Sequence, residues 1–87
     1  MAVIEKKSWP DMFEAIAKGK KKFDLRLADE NYKVGDILVL REFDPKKKEY
    51  TGRQIRRNIT YIMKTKELKF WSPSETDKYG FVVMSLE

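Results

Sequence analysis

Apolar positions near the start of the chain follow several spacings in turn. Residues 2–7 (Ala-Val-Ile-Glu-Lys-Lys) predict a short first strand with a polar end. Trp9, Phe13, Ile16 and Ala17 then fall at i, i+4, i+7 and i+8, which is one face of a helix. Ser8 is the expected N-cap, and Pro10 suits the first helical turn because its missing N–H costs nothing there. Asp11 and Glu14 complement the positive helix end. Gly19, free to adopt a left-handed conformation, predicts the stop. Beyond it, Phe23, Leu25 and Leu27 alternate with Lys22, Asp24 and Arg26. That period of two predicts a strand with one apolar and one charged face.

Ala28 to Lys33 reads as a polar loop, and Val34-Gly35-Asp36 as a turn into a buried strand from Ile37 to Phe43, rich in branched and aromatic residues. After the charged connection Asp44–Glu49, the stretch from Tyr50 to Met63 predicts a long strand with a bulge at Gly52. Ile55, Arg57, Ile59, Tyr61 and Met63 share one parity in it, and so does Arg53, so a bulge or a helical part is expected to break the simple rule. Lys64 to Lys78 reads as a long loop, and Tyr79 to Leu86 as a closing strand. One main helix near the N-terminus and about five strands on short connections define an α+β domain or small barrel. The alternating segments of a doubly wound sheet are missing.

The length of 87 residues suits a single domain, 1–87. Its core is small, since a domain of this size buries only about 60–65% of its unfolded surface. The chain has no cysteine and no histidine. Disulfides, thiolate metal sites and cysteine nucleophiles are excluded, and the commonest general base and metal ligand are missing. A zinc site would rest on carboxylates alone, so neither a metal nor a cofactor is expected. The longest apolar runs, Ile37–Leu40 and Phe81–Met84, are far too short for a membrane span. No basic region followed by an apolar stretch opens the chain, so the expected location is cytoplasmic. The net charge of +5 attracts polyanions, although a lysine-rich surface that simply keeps a small protein soluble explains it slightly better.

The distribution of that charge changes the picture. Gly19-Lys20-Lys21-Lys22-Phe23-Asp24-Leu25-Arg26 fits the pattern G-x-K-x-x-[DE]-x-R at the predicted helix-to-strand junction. Downstream stand Tyr32-Lys33-Val34-Gly35-Asp36-Ile37-Leu38, then Glu42-Phe43-Asp44-Pro45 through Tyr50-Thr51-Gly52-Arg53, and finally Tyr79-Gly80-Phe81-Val82-Val83-Met84. In this order, over nearly the whole chain, the blocks resemble the ASCH domain family of the PUA-like superfamily, in particular its small stand-alone proteins of unknown function. The resemblance implies a PUA-like barrel of mixed or antiparallel strands with a ligand cleft beside the helix. It further implies a link to RNA. Some small bacterial relatives are amidohydrolases that deacylate N4-acetylcytidine, with the motif lysine and a threonine at the acidic position held to be catalytic. Lys21 matches that lysine, but Asp24 stands where the threonine would be. Ile4 and Glu30 replace a histidine and an arginine common in the closer relatives.

On a strand, Asp24 and Arg26 point to the same face about 6.8 Å apart. Such a charged face is either the wet side of a sheet or the lining of a cleft, and the resemblance favours the cleft. An arginine fork suits a phosphate or a base edge, and Lys21 supplies a point charge. As a hydrolase, the site would need Lys21 deprotonated or acting as an electrophilic aid, with Asp24 as general base. Arg53, Arg56 and Arg57 form a second basic cluster, with Arg56 facing away from the other two; a phosphate-tracking role and a solvated face paired with Glu42 and Glu49 explain it about equally well. Tyr32 is placed to rim the cleft. Lys46-Lys47-Lys48 reads as a soluble turn, Phe70 and Trp71 as a plug at one barrel end, and Trp9 as core. The leading expectation is an RNA- or nucleotide-binding domain using Lys21, Asp24, Arg26, Tyr32, Arg53, Arg56 and Arg57. The alternatives are an amidohydrolase acting on a modified nucleoside through Lys21 and Asp24, and a protein-interaction adaptor.

Overall fold

Three segments of alternating or continuous apolar character build the sheet. The computed structural model describes residues 1–65 and 68–80. Strand β1 (Val3–Ser8) leads directly into helix α1 (Pro10–Ala17), and the chain returns to form β2 (Ile37–Asp44) and β3 (Glu49–Asn58) before a short helix, α2 (Pro73–Tyr79). The strand order is β1-β2-β3, with β1 parallel to β2 and β3 antiparallel to it. Parallel neighbours need a long crossover, which α1 and the residues after it supply. The architecture is therefore a small α+β unit with an open three-stranded sheet among the described residues. No helix among them is long and apolar enough to cross a membrane.

The core lies between α1 and one face of the sheet. Phe13 and Ile16 pack on Leu38 and Leu40, with Ile4, Ile55 and Ile59 at the margin. Register explains the selection. Ile4 lies opposite Leu38, and Ile55 opposite Leu40, so period-two alternation puts all four on the helix side. Buried Asp36 ties the start of the sheet together, accepting from the N–H of Ala2 at 2.9 Å and of Lys33 at 3.1 Å. Those backbone donors, Ala2 first, hold its carboxyl below the usual range despite desolvation. In the β2–β3 turn Asp44 does the same for the N–H groups of Lys46 and Lys47, and its carboxyl is also lowered.

The bulge at Gly52 is present. Arg41 pairs with Gln54 and Phe43 with Tyr50, which leaves Thr51, Gly52 and Arg53 opposite Glu42 alone, with Gly52 at φ 96°. Arg53 and Arg57 share the face of Ile55 without breaking alternation. On an edge strand, their apolar stems can lie along the rim of the core while the heads reach outward.

Several expectations are corrected. The N-cap is Trp9, with no side-chain cap, while Ser8 is buried at the end of β1. An extended N-cap residue does not lie on the helical stripe, so Trp9 is 57% exposed rather than core. Phe23–Leu27 is not a strand: no described strand pairs with it, and Leu27 is 80% exposed. Strand β3 stops at Asn58 rather than Met63. The expected loop from Lys64 to Lys78 holds most of α2, which starts with a capping box: Ser72 accepts from the Glu75 N–H and Glu75 reaches back to Ser72. Tyr79 ends that helix instead of opening a strand, and the rest of the expected closing strand, 81–86, lies outside the described residues apart from Gly80 at the cap.

Candidate functional site

The end of α1 sets the geometry of the motif. The N–H of Gly19 bonds Ile16 O at 3.0 Å and that of Lys20 bonds Ala15 O at 2.9 Å, with Gly19 at φ 75°. This left-handed turn closes the helix and reverses the chain. Lys21 follows at once, its own N–H on Ala15 O at 3.0 Å. Its ammonium donates to Phe23 O at 2.7 Å and lies 3.4 Å from Asp24 Oδ1, above the Phe23 ring at 4.7 Å. Arg26 Nε donates to Asp24 Oδ2 at 2.6 Å. Lys21, Asp24 and Arg26 thus form one cluster, with side chains 15%, 20% and 26% exposed.

That cluster lines a groove of about 450 Å³ beside α1. Trp9, Met12, Phe23 and Leu25 form its apolar wall, and Lys7 stands at its margin. The half-exposed Trp9 is the residue that reading by helical periodicity missed. The signal available for it was the following Pro10, which places Trp9 just outside the helix. Chemically the groove offers a flat aromatic surface beside an excess of positive charge. Both oxygens of Asp24 are engaged by its cationic neighbours, so its evident task is to orient them.

The other candidates fall elsewhere. Tyr32 lies in an adjoining cavity of about 170 Å³ that Asp24 and Arg26 also line. Its hydroxyl is buried with no close hydrogen-bond partner among the described residues, near the Lys6 ammonium, which stands 5.9 Å from the centre of the ring. Lys6 pairs with Glu30 at 2.8 Å; this carboxylate is the main cause, with a smaller contribution from Tyr32, of an ammonium held above its ordinary range. Arg53 bonds Glu14 at 3.1 Å, lies 3.8 Å from buried Glu42 and covers the Phe13 ring at 4.9 Å. Thr51 completes this group by donating to Glu42 at 2.7 Å. Arg53 is thereby a clamp between helix and sheet rather than part of the groove. Arg57 borders a separate hollow with Lys21 and Lys22, and Arg56, opposite Val39, is on the far face of the sheet. Phe70 is largely exposed and meets Trp71 edge to face at 5.5 Å, so it plugs nothing. No cluster of metal-ligating side chains occurs among the described residues.

These features define a small α+β domain with a basic, aromatic-walled groove at a helix-to-loop junction. The chain belongs to the family described as a domain of unknown function, DUF3850, whose model matches residues 4–86. Comparison with curated proteins finds no match.

Proposed function

We propose that this protein binds single-stranded RNA or a nucleotide-like ligand in the groove beside α1. The observation that carries the reading is the Lys21–Asp24–Arg26 cluster beside the exposed ring of Trp9. Asp24 uses the Nε edge of Arg26, which leaves the terminal guanidinium nitrogens without a partner among the described residues. That edge suits a phosphate or a base edge, and the Trp9 face suits a stacked base. The resemblance to ASCH domains supports the same reading, and with it a PUA-like barrel. A cytoplasmic location goes with this proposal. Hydrolysis of an acylated nucleoside is the weaker reading, because Asp24 offers no hydroxyl nucleophile and both its oxygens already accept from Lys21 and Arg26.

Titration with a short single-stranded RNA at two salt concentrations tests the proposal. Affinity is expected to fall with salt, and Arg26→Ala to weaken it by about tenfold at low salt. Trp9→Ala is expected to lose a comparable amount, since a base–aromatic stack contributes about 1–3 kcal/mol. Absence of binding at low salt would refute the reading. Release of acetate from N4-acetylcytidine, abolished in Lys21→Ala, would establish the hydrolase instead.

A further inference from the structure

The sheet face turned away from α1 carries its own pattern. Alternation places Glu5 and Lys7 of β1, Arg41 and Phe43 of β2, and Tyr50 and Arg56 of β3 there. Phe43 and Tyr50 meet edge to face at 5.2 Å. The Arg41 guanidinium lies 3.9 Å from the centre of the Tyr50 ring, and the Lys7 ammonium 4.3 Å from that of Phe43. Tyr50 is still 40% exposed. Among the described residues neither helix covers this face, since α1 packs on the other side and α2 buries no residue. Val39, at its centre between Glu5 and Arg56, is nevertheless only 2% exposed, so the open parts are the Tyr50 end and the Arg56 edge. Along the described strands Lys7, Arg41 and Arg56 are opposed by Glu5 alone, so the face is positive.

This face is continuous with the groove. A depression of about 420 Å³ at the edge of β1 is lined by Lys6, Lys7, Arg26, Arg41 and Tyr50, with Glu5 the one acidic residue among them. Lys7 and Arg26 line the groove as well. A ligand leaving the groove past Arg26 therefore reaches the Arg41–Tyr50 stack without crossing an uncharged gap.

We propose that the ligand is a single-stranded polynucleotide rather than a free nucleotide, and that it runs from the groove over the β1 edge onto this sheet face, where Lys7, Arg41 and Arg56 follow its phosphates and the Arg41–Tyr50 stack receives a base. This rests on the groove reading and extends it. A planar guanidinium held against a tyrosine ring offers a flat cationic surface to a base, and positive side chains spread over three strands match a chain of regularly spaced phosphates. An acidic peptide would satisfy the charge but leave the exposed aromatic stack unused.

The test is binding of a labelled dinucleotide and a labelled mixed-sequence octanucleotide, both RNA, to the wild-type protein and to Arg26→Ala, Tyr50→Leu and Arg56→Gln. Urea unfolding confirms that each variant is folded. Arg56→Gln is the variant least able to disturb the fold, because its side chain is exposed. The octanucleotide is expected to bind at least tenfold more tightly than the dinucleotide. Tyr50→Leu and Arg56→Gln are each expected to weaken the octanucleotide about three- to tenfold and leave the dinucleotide unchanged, with the salt slope reduced by about 0.7 in Arg56→Gln. Equal affinity for both lengths, or sheet-face variants without effect, overturns this inference, while a continued loss in Arg26→Ala keeps the groove reading. Loss in the sheet-face variants with none in Arg26→Ala overturns the groove reading and keeps the sheet face as a nucleic-acid surface. Competition by an oligoglutamate peptide as strong as by unlabelled RNA overturns the polynucleotide as occupant.

Discussion

Arg53 reaches Glu14 at 3.1 Å across 39 residues of sequence, whereas Arg26 reaches Asp24, only two residues away, at 2.6 Å. Around Arg53 the partners come from different elements: Glu14 and Phe13 from α1, Glu42 from β2. Around Arg26 everything comes from one short stretch that follows the Gly19 turn. The first arrangement exists only once helix and sheet have met, so its guanidinium is committed to holding them together. The second is assembled by local geometry, and its remaining donors open onto a groove. Two arginines in basic motifs of similar appearance thus differ in what they have left to offer a ligand.

The largest effect separating these regions is expected beneath Arg53. Phe13→Ala should cost about 3–5 kcal/mol, nearly the whole stability of a domain this small, and should be read as a collapse of the urea midpoint. A variant that stays as stable as wild type would show that the α1–sheet seam is not the core. Next comes the pairing of two alanine substitutions. Arg26→Ala should lower RNA affinity about tenfold and change stability by less than about 0.5 kcal/mol. Arg53→Ala should show the reverse, with about 1 kcal/mol of stability lost and little change in binding; half of its side chain is in water, which limits the ion-pair contribution. Equal losses of binding in both variants would mean that the two arginines do not differ in role.

The smallest effect sharpens the contrast through pH. The carboxyl of Asp36 is held low, chiefly by the Ala2 N–H and then by that of Lys33. The unfolded chain therefore takes up this proton first as pH falls. The contribution of Asp36 to stability is complete above about pH 4 and is lost as pH drops through its lower folded value. Asp44 acts in the same direction. Asp36→Asn should be less stable at neutral pH and show a flatter decline in urea midpoint below about pH 4. A decline as steep as that of wild type would assign the acid sensitivity elsewhere.

Short-range pattern was a reliable guide where the physics is local. The helical stripe through Phe13 and Ile16, the buried run in β2, the Gly52 bulge and the stop at Gly19 all follow from spacing and residue type. So does the convergence of Lys21, Asp24 and Arg26, because residues two and three apart after a tight turn stay within reach of one another. The capping box at Ser72 and Glu75 is equally local, but α2 has no apolar stripe to announce a helix.

What the chain alone determined, then, is β1, α1 with its stop at Gly19, the buried run of β2, the Gly52 bulge and the local ion-paired cluster, since each depends on contacts between near neighbours. Only the tertiary structure decided that Trp9 lies against the groove, that Arg53 clamps the helix to the sheet, and that Phe23–Leu27 has no ladder among the described residues. Alternation makes a segment fit to be a strand, but a ladder needs a distant partner whose N–H and C=O groups arrive in register.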